Sequence, residues 1–293
     1  MKQISKFIIE KLIINKNTKI EKVKHKYHQE SREELEELIK KLTKERGHDA
    51  DLNDIDTSKI TDMSGIFSYD QFSAGSLNFT GDISQWDVSN VESMSSMFAY
   101  SDFNGDISEW DVRNVKSMAS MFQHCKFNGD ISKWRTDSLE NMIWMFAAAE
   151  FDGDLSKWDV SHVTSMEALF TCSKFTGKKG DISKWDVSKV TNMKDMFRRT
   201  KFNADISKWD VSSVRSMSSM FENSDFNQDI SKWDVSNVKS MWYMFQKSKF
   251  DKDLNKWKIN KDCLMSDMFN LCPIEKNDKL PKWYHKEKKI NLG

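Results

Sequence analysis

Residues 105–130 read GDISEWDVRNVKSMASMFQHCKFNGD, and nearly the same words return along most of the chain. With the aspartate of GDIS as a marker, the unit restarts at Asp82, Asp106, Asp130, Asp154, Asp181, Asp205, Asp229 and Asp253. Each step is 24 residues except one of 27, where Gly177-Lys178-Lys179 is inserted. A degenerate first unit, DLNDIDTSKITDMSGIF, opens at Asp51 and carries a seven-residue insertion before Asp82, which makes nine units. Such a period marks a repeat architecture. One unit is too small to bury its own apolar face, and stacking on neighbours builds a continuous core.

The columns inside the unit predict its shape. One residue after the marker is Ile or Leu (Ile83, Ile107, Leu155), four after it is Trp (Trp86, Trp110, Trp257), and six after it is mostly Val (Val88, Val112, Val160). This I-x-x-W-x-V has the spacing of a leucine-rich-repeat strand. In the second half Val91, Met94, Met97, Phe98 and Phe103 fall at steps of three, three, one and five, which predicts a helical or 3₁₀ turn with one buried face. The fold expected over residues 51–275 is a leucine-rich-repeat-like solenoid. Short parallel β-strands line one face and short helical or 3₁₀ turns the other. The Met, Phe and Trp columns read as core, not as a cofactor box. The marker aspartate stands where the chain turns and reads as an acceptor for backbone N–H groups. Asp102-Phe103-Asn104-Gly105-Asp106 has the D-x-N-x-D spacing of a calcium loop, but the next unit places Lys126 where Asp102 stands, so calcium is not expected.

The quoted string, together with DISKWDVSNVKSMWYMFQKSKFDKD at 229–253, resembles the BspA-like leucine-rich-repeat proteins of bacteria, whose units read roughly F-N-x-D-I-S-x-W-D-V-S-x-V-x-x-M-x-x-M-F. The resemblance covers about residues 51–275. It implies an elongated, curved right-handed solenoid and a role in adhesion, surface display or protein binding. Typical surface members carry a signal peptide or lipobox. The opening MKQISKFIIEKLIINK shows neither, because Glu10 and Lys11 interrupt its apolar run. A cytoplasmic or phage-encoded protein is therefore expected ahead of an exported one, and the opening string is also similar to that of small proteins of gut-bacterial phages.

Lys+Arg 45 balance Asp+Glu 45, which removes the basic composition of a dedicated nucleic-acid binder. No apolar run is long enough for a membrane span. Cys125, Cys172, Cys263 and Cys272 form no disulfide framework and read as reduced thiols. His25 and His28 have a metal-like spacing, but no further His or Cys completes a site. G-x-S-x-G, a phosphate-cradling glycine loop and H-E-x-x-H do not occur. No enzymatic role, cofactor or metal is expected.

Candidate contact residues come from the exposed columns and from breaks in the repeat. Residues flanking the Trp of a strand would share an outer face. Asp159, Asp186 and Asp210 stand there beside a Lys column, as a binding face or a solvated ion-pair lattice. In unit 130–153, Arg135 and Thr136 interrupt the Asp and Val columns. Trp144, Trp242 and Tyr243 replace small residues between the Met columns and are expected on the outer, helical side, as interface anchors or as cover for another segment of the chain.

The ends differ from the repeat. Ser31-Arg32-Glu33-Glu34 is a capping box, and Leu35, Leu38, Ile39 and Leu42 make an apolar stripe, so a helix is expected near 31–46. An earlier amphipathic stretch holds Ile4, Phe7, Ile8 and Leu12. Residues 1–50 read as a helical cap or docking segment, and 276–293 as a basic tail or cap. The function expected is a protein-binding or scaffolding solenoid. The alternatives are a surface adhesin recognising a glycan and a phage structural or assembly component. The charge balance predicts no salt-sensitive binding to duplex DNA, which a gel-shift titration between about 50 and 200 mM salt checks.

Overall fold

The computed structural model describes residues 25–69 and 78–285; the 4–12 stretch, residues 70–77 and the end of the tail lie outside the described residues. Regular elements are few: β1 (Tyr27–His28), α1 (Arg32–Arg46), β2 (Ile55–Asp56), a 3₁₀ turn at Ile182–Lys184 and α2 (Pro273–Lys276). The ribs are built from turns. We number them from their marker residues, rib 1 from Asp51, rib 2 from Asp82, and so on to rib 9 from Asp253.

The turns explain the apolar spacing. In rib 2 the amide of Trp86 closes on the carbonyl of Ile83, Val91 on Val88, Met97 on Met94 and Ser101 on Phe98. Each is the i→i+3 closure of a β-turn, which brings its first and last residues together. Ile83 and Trp86, Val88 and Val91, and Met94 and Met97 are all buried. Two expectations are thereby corrected. The I-x-x-W-x-V segment is a pair of turns rather than a β-strand, and the Met–Phe half is a chain of turns rather than a helix. A step of three is shared by helix, 3₁₀ and turn, and only the bonding partners distinguish them.

Those partners lie in the next rib. The amides of Met94, Ser96, Phe98 and Tyr100 donate to the carbonyls of Ser117, Ala119, Met121 and Gln123 at 2.7–2.9 Å. The amides between them, Met97, Ala99 and Ser101, close turns within their own rib. One segment is thus a parallel ladder toward its neighbour and a turn ribbon within itself. Isolated parallel bridges such as Ser93↔Ser117 and Ser216↔Ser240 mark where it starts. The alternation places two residues in each of ribs 2–9 in the left-handed region, Ser96 (φ 57°) and Tyr100 (φ 62°) in rib 2, Ser219 (φ 53°) and Asn223 (φ 52°) in rib 7. A non-glycine residue there costs roughly 1–2 kcal/mol, which the two-way hydrogen bonding offsets. Among these columns only rib 1 uses glycine, Gly65 at φ 70°.

Side chains complete the stacking. The Trp110 indole N–H donates to the Ile83 carbonyl of the rib before (3.2 Å), and Trp209 does the same to Ile182 (2.9 Å). Phe98, Phe122, Phe146 and Phe170 stack at 5.6–5.7 Å from rib to rib. A second Phe column runs beside the first, with Phe103 and Phe127 at 6.3 Å. At the corner after it, the Asn104 side chain accepts the Asn128 amide, and Asn128 accepts that of Asp152, both at 2.9 Å. Trp283, expected in a tail or cap, continues the Trp column: it donates to the Leu254 carbonyl (2.9 Å) and stacks on Trp257 at 6.2 Å.

At the other end Ser31 caps α1 by accepting the Glu34 amide (3.2 Å), and the Glu34 carboxylate accepts the Glu30 amide (3.0 Å). Leu35, Ile39 and Leu42 are fully buried in the same core as the ribs. Arg32 donates to the Ser64 carbonyl, Arg46 grips Asp54 with two bonds, and β1 pairs in parallel with β2. The helix therefore seats on rib 1.

Two substitutions probe this architecture. Lys247→Gly relieves a left-handed residue (φ 56°) and should raise stability by about 1 kcal/mol. Trp209→Phe removes the indole donor from the Ile182 carbonyl, which keeps only the Trp185 amide, and should lower stability by about 0.5–1.5 kcal/mol. Midpoints of chemical denaturation followed by tryptophan fluorescence and circular dichroism read both.

Candidate interaction face

The aspartate columns are occupied with local structure. Asp82 accepts the Ser84 amide (2.9 Å), Asp106 that of Ser108 (3.0 Å) and Asp229 that of Ser231 (2.9 Å), as the reading of the marker column anticipated. Asp159, Asp186 and Asp210 cap the next turn in the same way, through Ser161 (2.9 Å), Ser188 (3.1 Å) and Ser212 (3.0 Å). The Asp159 carboxyl is held below its usual range first by the Ser161 amide. For Asp186 the Ser188 hydroxyl acts first and its amide second. These three carboxylates belong to turn corners, not to an outer strand face.

The break at Arg135 and Thr136 is also absorbed locally. Arg135 pairs with Asp137 at 2.5 Å. Thr136 is buried like the valines it replaces, and its hydroxyl donates to the Asp159 carbonyl at 2.9 Å, the bond that Thr57 makes to Asp87 in rib 1.

The ladder side differs. Tyr100, Trp144, Trp242, Tyr243, Leu264 and Leu271 are the exposed large apolar residues among those described, at 38–53% exposure; the first five lie on the ladder ribbon, and Leu271 holds the same column in rib 9 as Tyr100 in rib 2, its amide turned to Glu275. Trp144 (φ 60°) and Tyr243 (φ 57°) occupy the first left-handed column, while Tyr100 and Leu271 (φ 63°) occupy the second. These are the outer corners of the turns, so a large side chain there has no core to enter. The expected outer, helical side is therefore the ladder itself. Sequence reasoning found Trp144, Trp242 and Tyr243 because they interrupt small residues. It missed Tyr100 and Leu271 because their column holds residues of every kind, where the pairing of Tyr100 with His124 one period later was the signal; their rings stack at 4.7 Å. It also passed over Leu264, which breaks a column of Asp, Ser and Asn from Asp62 to Ser240.

Between the aromatic residues of ribs 4 and 8 the face is charged. Lys194 reaches Glu167 at 3.1 Å and Arg198 reaches Glu222 at 3.0 Å. Asp195 sits half-buried between them, and burial pushes its carboxyl up against the pull of Lys194 and Arg198. Cys172 is exposed; the other three thiols are buried, and burial takes Cys263 and Cys272 up to about 11. Among the described residues no group of three His, Cys, Asp or Glu could hold a metal ion, and no helix is long and apolar enough to cross a membrane.

Ribs of one design, joined by a repeating main-chain ladder, define a tandem-repeat protein. A family model described as "Mycoplasma protein of unknown function, DUF285" matches residues 33–126, 69–178 and 171–283, and the chain belongs to that family. The match fits the resemblance to BspA-like repeat proteins. No curated protein and no solved structure matches the chain.

The capping aspartates set the acid limit of stability. Backbone amides lower Asp82, Asp106, Asp130, Asp205 and Asp229, and the Ser58 hydroxyl leads in taking Asp56 to about 2. Depressed carboxyls contribute stability that is present above the unfolded value of about 3.9 and lost as pH falls through the folded values. Denaturation midpoints should stay level from about pH 7 to 5 and drop below about pH 4. Asp205→Asn should lower stability at neutral pH and lessen the acid drop.

Proposed function

We propose that this chain is a non-enzymatic, leucine-rich-repeat-like solenoid that binds another protein through its ladder face, in the cytoplasm. One observation carries the reading: the exposed large apolar side chains among the described residues all lie on that one face. Aromatic residues held on a rigid surface, with charged residues between them, are what a protein interface uses as anchors. Left-handed backbone at Trp144 and Tyr243 fixes their direction before any partner arrives, so little side-chain freedom remains to be lost on binding. Every marker aspartate from Asp82 to Asp253 caps a turn, which supports a structural rather than a catalytic use of the carboxylates.

The test is affinity capture from native host extract, read by mass spectrometry. Trp144→Ala and Trp242→Ala/Tyr243→Ala should each lose the partner that the unaltered protein retains, and Arg135→Asp, at a turn corner away from the ladder, should keep it. Loss with Arg135→Asp alone would overturn the choice of face.

A further inference from the structure

In ribs 2–8 the residue before the second Phe forms a column of charges: Asp102, Lys126, Glu150, Lys174, Lys201, Asp225, Lys249. Sign alternates from rib to rib, and neighbours pair, Lys126 with Asp102 at 2.7 Å and Lys249 with Asp225 at 2.8 Å. The alternation slips once, at Lys174 and Lys201. The Phe175–Phe202 stack at 6.1 Å holds these two lysines one rib apart. The slip coincides with the inserted Gly177-Lys178-Lys179, which adds two exposed lysines, and with Arg199, exposed in the second left-handed column. Lys174, Lys178, Arg199 and Lys201 have no carboxylate partner among the described residues. Lys179 reaches only Asp152, at 4.0 Å, and Glu150 borders the patch.

Like charges facing each other across neighbouring strands or ribs destabilise the stack. Here the chain departs from its own alternation to gather five cations in ribs 5 and 6. Along the stack of ribs the patch falls between Trp144 in rib 4 and Trp242 and Tyr243 in rib 8, beside the ladder, where Glu167, Asp195 and Glu222 are paired with Lys194 and Arg198. Four ribs rise about 20 Å at a strand-like spacing of about 4.8 Å. An extended peptide covers that distance with about six residues.

We infer that ribs 4–8 dock an acidic, extended protein segment. Its carboxylates meet Lys174, Arg199 and Lys201, and its apolar ends contact Trp144 and Trp242. The inference rests on the ladder-face reading and adds the chemistry of the partner.

The probe is a fluorescein-labelled ten-residue peptide with Trp and Leu at both ends and Glu between, compared with its Gln counterpart by fluorescence anisotropy on the full chain. At low salt the Glu peptide should bind at least about tenfold tighter. Lys174→Glu/Lys201→Glu should erase that preference, the milder Lys174→Gln/Lys201→Gln should reduce it, and Lys232→Glu elsewhere on the surface should leave it intact. Thermal unfolding checks that each variant is folded. Equal binding of the two peptides overturns the inference. So does no binding up to about 1 mM, or a preference for a twelve-nucleotide DNA or for phosphatidylserine vesicles. If the Trp variants lose the captured partner while the lysine variants keep it, the ladder face stands and its acidic partner falls. If neither loses it, both fall.

Discussion

Alternate amides of the Met–Phe segment point to the next rib, and the amides between them close turns in their own. That division is the constraint on which the rest of the molecule depends. A rib standing alone would leave half of those amides without an acceptor, and unpaired buried amides are costly. Folding is therefore a property of neighbours, as in other repeat proteins. The same division forces left-handed backbone at two points in each of ribs 2–9, and the sequence fills them with residues as different as Ser, Asp, Lys and Trp, none of them glycine. Side-chain freedom at those points is what the repeat leaves open for variation.

Once the ladder sets the rise, other columns follow. Phe rings stack, Trp indoles reach the carbonyl one rib back, and Asn side chains carry the ladder around a corner where main chain does not pair with main chain. Asp and Ser close the turns on the remaining sides. Since these polar residues are committed to the fold, the recurrent motif says little about a ligand. The irregular positions on the ladder are where recognition can differ between one chain and another of the same design.

Much of the repeat was legible in advance. Its period, the buried columns, the capping role of the marker aspartate and the helix that starts after Ser31 all follow from local patterns with a single physical solution. The kind of local structure was not legible. Apolar steps of three serve a helix, a 3₁₀ segment and a chain of β-turns alike, and I-x-x-W-x-V proved to be two turns because its amides close on carbonyls three residues back.

The candidate face divides in the same way. Trp144, Trp242 and Tyr243 stood out as breaks in small residues, whereas Tyr100 and Leu271 look ordinary until the ladder turns their column outward. Asp159, Asp186 and Asp210 looked exposed and free, yet each is engaged by an amide two residues on. By itself the sequence determined that this chain repeats, which residues form its core and where its turns fall, because those depend on neighbours in the chain. Only the tertiary structure decided which side of each turn faces solvent and which charges lack a partner, because those depend on a rib 24 residues away.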